Sequence, residues 1–177
     1  MTNKSRHLPA FVFSVARQRH FRSHARMQPV DSKQLILMSY SLVWLKRDLR
    51  WQDHAAMTAA ARNGPFACLY VIEPGLWQQP DMAASHYHFI VESLRSLYAA
   101  LRAIGGQLLI LHGDIISVLN ALYDHSPFHT MHSHEETGNG WTYERDRQVA
   151  VWCREKNVQW QEHRQFGVVR GLRDRNR

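Results

Sequence analysis

Residues 41–50 read SLVWLKRDLR, and the prediction of the fold starts from this segment. Its first five residues carry no charge, whereas four of the next five are Lys, Arg or Asp. A short apolar run that stops abruptly predicts a β-strand buried on both faces, as parallel sheets require. The charged turn then lies beyond the carboxyl end of this strand, which is where open parallel sheets bind their ligands.

Four similar runs follow, at residues 66–72, 107–111, 130–134 and 158–163. The segments between them are longer and have helical spacing. Strands that alternate with helices predict a Rossmann-like α/β fold, an open five-stranded parallel sheet with helices on both faces in a single domain. In the usual strand order 3-2-1-4-5, the order reverses between the first and fourth strands. Residues 46–50 are therefore expected to face residues 134–136.

The clearest helix is predicted over residues 85–104, and Gly105 and Gly106 end it because glycine adopts the left-handed conformation that closes helices. Asp53 and Asp114 are predicted N-caps of the first and third helices. A fourth helix is predicted over residues 143–156. One apolar face of the long helix is expected to be buried, namely Ile90, Leu94, Leu97, Leu101 and Ile104.

The net charge of +7 is concentrated at the two ends of the 177-residue chain. Residues 1–40 carry +6 and residues 164–177 carry +4, whereas residues 41–163 carry −3. The predicted domain is therefore mildly acidic, which argues against a basic DNA-binding face of its own, because phosphate neutralisation drives such binding. No apolar run in the sequence approaches the ~20 residues of a membrane-spanning helix.

The two ends differ in composition from the body. Residues 1–40 are predicted to form a basic, disordered leader, residues 41–165 the α/β domain, and residues 166–177 a basic tail. An arginine-rich, acid-poor leader also fits a mitochondrial transit peptide, and a start at Met27 or Met38 is a further alternative. Cys68 and Cys153 have no metal-site spacing and are expected to be reduced thiols of a cytoplasmic protein.

The common nucleotide and hydrolase motifs do not occur. Neither G-x-G-x-x-G nor G-x-x-x-x-G-K-[ST] is found, so the usual dinucleotide and P-loop interpretations fail, and no G-x-S-x-G elbow is present. The run from His132 through His134 to Glu136 offers imidazole and carboxylate ligands, yet no second ligand cluster is visible, and we assign no metal.

The charged turn after the first strand allows two interpretations. Its charged residues are expected either to form a salt-bridged turn that anchors the loop or to contact a ligand directly: Lys46, Arg47, Asp48, Arg50 and Asp53.

The turn also carries a family resemblance. Residues 42–50 followed by Asp53 resemble the opening strand and turn of the photolyase/cryptochrome family, typically W-F-[RK]-R-D-L-R-x-x-D. Further matching stretches occur in the family's order: residues 69–74, residues 89–101 of the long helix, Gly113-Asp114 and Arg145-Asp146. The resemblance covers residues 41–170 and implies the family's N-terminal α/β domain, which holds an antenna chromophore.

Carried over position by position, the resemblance implies a chromophore pocket lined by Val71, Glu73, His86, Phe89, Glu135 and Glu136. His86 stands where such relatives often carry arginine. Folate-type relatives place Asn-Glu before the Arg-Asp of the fourth helix, and Trp141-Thr142 stands at that position here. A deazaflavin-type, flavin or lumazine chromophore is therefore expected rather than a folate. Trp141 itself is expected to pack the loop or to stack on an aromatic ring.

The resemblance further implies that FAD and DNA bind to a separate helical domain, which is expected to be missing from this chain. The chain resembles deoxyribodipyrimidine photolyase, a lyase, but is expected to be inactive alone. It would serve a blue-light flavoprotein of DNA repair or light sensing, as a fragment or as one half of a split protein. A stand-alone nucleotide-binding or signalling module and a truncated remnant are the alternatives.

Overall fold

A computed structural model describes residues 40–165, so the predicted leader, apart from Tyr40, and the predicted tail lie outside the described residues. Five strands alternate with helices in this part of the chain. In chain order the elements are β1 Ser41–Leu45, α1 Ala55–Asn63, β2 Phe66–Ile72, α2 Pro74–Trp77, α3 Ala84–Ala103, β3 Leu108–His112, α4 Ile115–His125, β4 Thr130–His134, α5 Gly140–Glu155 and β5 Gln159–His163.

The strands form one parallel sheet in the order β3-β2-β1-β4-β5, which confirms the predicted topology. The strand order reverses between β1 and β4, where Val43 pairs with His132. The carboxyl ends of these two central strands therefore meet at one edge of the sheet, and the polar residues that follow each strand converge there.

Two apolar clusters, one on each face, hold the helices to the sheet. Leu42 and Trp44 of β1 pack with residues of α4 and α5, among them Leu119 and Val149. On the other face, the alternate residues of β1 pack under α1 and α3: Val43 and Leu45 contact a cluster that contains Ala56, Ala60, Leu94, Leu97 and Leu101. Both faces of β1 are covered, which explains why none of its five residues is charged.

Several predicted details need correction. The N-cap of α1 is His54, whose Nδ1 accepts a hydrogen bond from the Met57 backbone N–H, whereas Asp53 adopts a positive φ of 49° just before it. Ile104 is 51% exposed because α3 ends at Ala103. The fourth predicted helix begins at Gly140, three residues early, because Asn139 caps it.

Other predictions are confirmed. Asp114 caps α4 by accepting a hydrogen bond from the Ser117 backbone N–H, and Gly105 closes α3 with φ of 81°. Cys68 and Cys153 are buried free thiols, and burial raises the pKa of each to about 12. No helix within residues 40–165 has the length and apolar character needed to cross a bilayer.

Candidate functional site

Two buried polar clusters lie at the carboxyl edge of the sheet. We call Asp48, His54 and His134 the histidine cluster. We call Arg145 with its partners Glu73, Glu136 and Asp146, together with Lys46, the arginine cluster. The two histidines, the four carboxylate residues and Arg145 are at most 7% exposed, and the side chain of Lys46 is 6% exposed. Buried charges of this density need mutual pairing, and the pairing defines the site.

In the histidine cluster, one carboxylate contacts two imidazoles. Asp48 Oδ2 accepts a hydrogen bond from His134 Nδ1 at the end of β4, and His54 Nε2 lies 2.9 Å from the same oxygen. The second oxygen of Asp48 accepts the Lys46 backbone N–H at 2.8 Å, which folds the turn after β1 onto itself. Asp48 thus ties the turn, the start of α1 and the end of β4 to one another.

These contacts keep Asp48 ionised. Burial by itself raises the pKa of a carboxyl group, but the hydrogen bonds from His134 and His54 outweigh it and hold the pKa of Asp48 well below its usual range. A second imidazole pair lies next to the cluster: His132 Nδ1 is 3.1 Å from His163 Nε2. Burial, with the neighbouring His163, lowers the pKa of His132 to about 4, so His132 is neutral at neutral pH.

The histidine cluster also has the composition of a metal site, since one ligand atom from each of its three residues lies within 4.8 Å of the others. The tautomer of His54 argues against a metal. Because His54 Nδ1 accepts the Met57 N–H, the proton of the neutral ring sits on Nε2, the nitrogen that faces Asp48. A metal ion at Nε2 would have to displace that proton and break the cap of α1. His132 and His134 lie on one face of β4, as predicted. Each ring has a side-chain partner: His132 contacts His163, and His134 contacts Asp48.

In the arginine cluster, one guanidinium forms ion pairs with three carboxylates. Arg145 of α5 donates to Glu73 at 2.9 Å, to Glu136 at 2.8 Å and to Asp146 at 3.0 Å. Lys46 Nζ forms an ion pair with Asp146 from the end of β1. The cluster therefore links the carboxyl ends of β1, β2 and β4 to α5.

The charge balance of the arginine cluster is uneven, with two cations for three carboxylates. Burial would lower the pKa of Arg145, but the three carboxylates outweigh it and raise the pKa further. Burial also raises the pKa of Glu73, and Arg145 offsets this only in part. Both cations lie over the ring of Trp44, with Lys46 Nζ at 4.6 Å and the Arg145 guanidinium carbon at 4.7 Å from its centre.

Ion pairs anchor the charged turn, but they join its residues to other elements of the fold and not to one another. Lys46 pairs with Asp146 and Asp48 with two histidines. The side chain of Arg50 donates to the backbone carbonyl of Asp53, at 3.1 Å from Nη2, and forms no ion pair within residues 40–165. Residues 46–48 and 134–136 line a common small pocket, so the two segments face one another as predicted.

Aromatic side chains border the arginine cluster on the β2 side. Trp141 of α5 lies over Arg145, 5.8 Å from its guanidinium, and packs so closely on Gly75 that a Cβ there would meet the indole at 2.9 Å. Trp77 stands edge-on to Tyr87 at 5.1 Å between ring centres. The Trp77 Nε1 donor is buried and has no acceptor among the described residues. A buried donor without an acceptor is rare and is a candidate contact for a bound molecule.

The structure brings together some of the six residues predicted to line the chromophore pocket. Glu73 and Glu136 meet on Arg145, and Glu135 lies in the small pocket beside them. Val71 is buried in the apolar core beneath α4 and α5. His86 and Phe89 lie on α3, where Phe89 is 69% exposed and His86 Nδ1 accepts the Ala83 backbone N–H at 3.3 Å.

Sequence reasoning assigned no site role to three central residues of this edge, Arg145, Asp146 and His54. Arg145 and Asp146 lie on the buried face of α5, together with Val149 and Trp152. Two charged residues on an otherwise apolar helix face were the feature of the sequence that could have identified them. His54 has no such signal, because a histidine before a helix is an uncommon cap and its partners are distant in sequence.

Comparisons with known proteins agree with this fold. Residues 41–170 match the family model described as DNA photolyase. The deoxyribodipyrimidine photo-lyase of Salmonella typhimurium is 35% identical over 121 residues, which cover 64% of this chain and 25% of that protein. This chain thus spans about a quarter of the length of that relative.

Solved structures of the same fold are more distant in sequence. A cryptochrome from Synechocystis sp. PCC6803 superposes with a TM-score of 0.66 at 20% identity, over 71% of this chain and 27% of that one. An archaeal photolyase from Sulfolobus tokodaii, described with two FAD molecules and a novel light-harvesting cofactor, has a TM-score of 0.63 at 19% identity, over 70% of this chain and 29% of that one.

Proposed function

Because this chain belongs to the DNA photolyase family, we propose that residues 40–165 bind an antenna chromophore for a photolyase/cryptochrome-like blue-light flavoprotein. Members of the family are DNA photolyases and cryptochromes, which bind FAD and an antenna chromophore. When bound, the chromophore supplies light absorption, and the protein's part is to hold its ring system in one place and orientation.

The observation that carries this proposal is the buried Trp77 Nε1 donor without an acceptor among the described residues. Trp77 stands against Tyr87, two residues from the Gly75 surface on which Trp141 packs. A fused planar ring offers aromatic faces to such side chains and a carbonyl or ring nitrogen to the indole N–H. The residues at the carboxyl end of β2 therefore fit the chemistry of an antenna chromophore.

The charge of the neighbouring arginine cluster narrows the class of chromophore. Two cations face three carboxylates, so neither Lys46 nor Arg145 has charge left over to hold a poly-glutamate tail or a phosphate. Deazaflavin-type, flavin and lumazine ring systems, held by their rings, fit this environment better than a folate does. Glu73, Glu136 and Arg145 would fix the polar wall of the pocket, with Val71 behind it and His86, Phe89 and Glu135 at its rim.

A separate helical domain would bind both FAD and DNA. That domain would belong either to a longer chain or to a partner protein. Repair of pyrimidine dimers would require that domain, so the 177-residue polypeptide by itself is expected to show none. The two buried free thiols suit a reducing compartment such as the cytoplasm.

The test is an absorption titration of the purified chain between about 300 and 700 nm with lumazine, riboflavin, a deazaflavin and a folate. We expect saturable binding and a shifted spectrum for at least one of the first three compounds. Trp77→Phe keeps an aromatic ring but removes the N–H, and it should weaken binding about tenfold, because the chromophore's acceptor loses the indole donor.

Trp51→Phe is the matched control, since Trp51 is 44% exposed next to the charged turn and should not affect binding. Folded wild-type protein that binds none of the compounds would overturn the proposal. Equal affinities for the wild type and Trp77→Phe would remove the observation that carries it.

A further inference from the structure

A cavity of about 470 Å³ lies away from the arginine cluster, between α1 and the edge strand β5. Its walls are the outer side of α1, the end of the charged turn and the residues that follow β5. This volume falls within the range of small-molecule sites. The cavity is not part of the aromatic surface around Trp77, because the two have no lining residue in common.

The cavity concentrates positive charge in an acidic domain. Three of its lining residues are Arg50, Arg62 and Arg164, against one carboxylate, Asp53. Residues 41–163 as a whole carry −3, so this is a local reversal of the domain's charge. Like charges gathered on one concave surface repel one another unless an anion neutralises them.

Within residues 40–165, none of the three guanidinium groups forms an ion pair with a carboxylate. Arg50 donates from Nε and Nη2 to the Asp53 carbonyl, which directs the side chain along the turn and leaves Nη1 for another acceptor. By contrast, every carboxylate of the arginine cluster is paired. The arginines at the cavity therefore have unused capacity for the bidentate contacts that guanidinium makes with phosphate.

Two histidines and the start of α1 also line the same cavity. His134 and His163 line it, and Asp48 holds the His134 ring in place through Nδ1. The first residues of α1, His54 and Ala55, also face it, so the positive end of the helix points the same way. We propose that this cavity binds the phosphate or pyrophosphate group of a small molecule, held by Arg50, Arg62 and Arg164.

The proposal is independent of the antenna function, because it uses a different surface and a different ligand chemistry. Its test is calorimetric titration of the full chain with inorganic pyrophosphate, with ADP and with a short single-stranded oligonucleotide, in a buffer whose salt screens weak surface charge. Pyrophosphate and ADP are expected to bind saturably at one site per chain and to compete with each other.

The double variant Arg62→Gln/Arg164→Gln should lower the affinity for pyrophosphate at least about tenfold, because two charge-assisted contacts are lost. Arg154→Gln is the matched control: like Arg62, Arg154 lies in the last turn of its helix and is exposed, but it does not line the cavity. The single variants Arg62→Gln and Arg164→Gln are measured as well, and thermal unfolding checks that each protein is folded.

Three results would overturn the proposal. They are no saturable binding of pyrophosphate or ADP by the wild type, an equal loss of affinity in Arg154→Gln, and binding of the oligonucleotide that pyrophosphate does not displace. An unchanged chromophore titration in the double variant would confirm that the two sites are separate.

Discussion

The two clusters at the carboxyl edge of the sheet have central groups of opposite charge. In the histidine cluster, one carboxylate is surrounded by two imidazoles, whereas in the arginine cluster one guanidinium is surrounded by three carboxylates. Imidazole is the side chain that gains a proton near neutral pH, and guanidinium does not lose one. The histidine cluster is therefore built around one anion, and the arginine cluster around one cation.

The first prediction breaks the arginine cluster, and we expect the largest effect from it. Arg145→Met leaves Glu73, Glu136 and Asp146 buried without their shared cation, which should lower the free energy of unfolding by about 3–5 kcal/mol. Urea denaturation measures it. Arg147→Gln is the control, because Arg147 pairs with Glu144 on the exposed side of the same helix at 3.2 Å, and its loss should change little. Equal effects of the two substitutions would contradict the role given to the cluster.

The second prediction breaks the histidine cluster in the same assay. Asp48→Asn keeps the shape but removes the charge that two imidazoles face, and it should lower the free energy of unfolding by about 2 kcal/mol. The effect should be smaller than that of Arg145→Met, because the partners left behind are imidazoles, which can stay neutral. A larger effect than that of Arg145→Met would reverse the ranking of the two clusters.

The contrast between fold and site shows what could be predicted from the sequence. The strands were predicted because each is a short apolar run whose pattern is local, and the order 3-2-1-4-5 followed from general rules of parallel sheets. The partners within each cluster are not local: Arg145 and Glu73 are 72 positions apart, and His134 and Asp48 are 86 apart. No periodicity spans such distances, so only the fold brings these residues together.

The third prediction perturbs the arginine cluster from its edge. Gly138 lies against the cluster, and a Cβ there would meet Arg47 Nη2 at 2.5 Å and Glu136 Oε1 at 2.8 Å. The backbone N–H of Gly138 also donates to that oxygen at 2.7 Å, so Gly138→Ala should push Glu136 off Arg145. We expect a loss of about 1–2 kcal/mol in the free energy of unfolding. Gly140→Ala is the control, since a Cβ at Gly140 would meet nothing within 4 Å.

The fourth prediction tests the pH response next to the histidine cluster, and its effect is the smallest. His132 has a pKa of about 4 in the folded state, below its ordinary value of 6.5, and the pKa of His163 is also lowered by burial and by His134. The unfolded chain therefore binds more protons at these two histidines, and their contribution to stability should fall by about 1 kcal/mol as the pH drops from 7 to 5.5, while the raised pKa of Glu73 acts in the opposite direction. Asp48 does not contribute in this window, because its stabilisation is lost only below about pH 4. Stability that rises on acidification over this range would contradict the arrangement.

We propose that the chromophore binds on the arginine side of the carboxyl edge, around Trp77. Hydrogen–deuterium exchange of the full chain, with and without the chromophore that binds most tightly, tests this most directly. We predict slower exchange in residues 73–90, which include α2 and the start of α3, and unchanged exchange in α1. Protection confined to α1 and the residues around β5 would contradict the claim and would place the chromophore in the arginine-lined cavity instead.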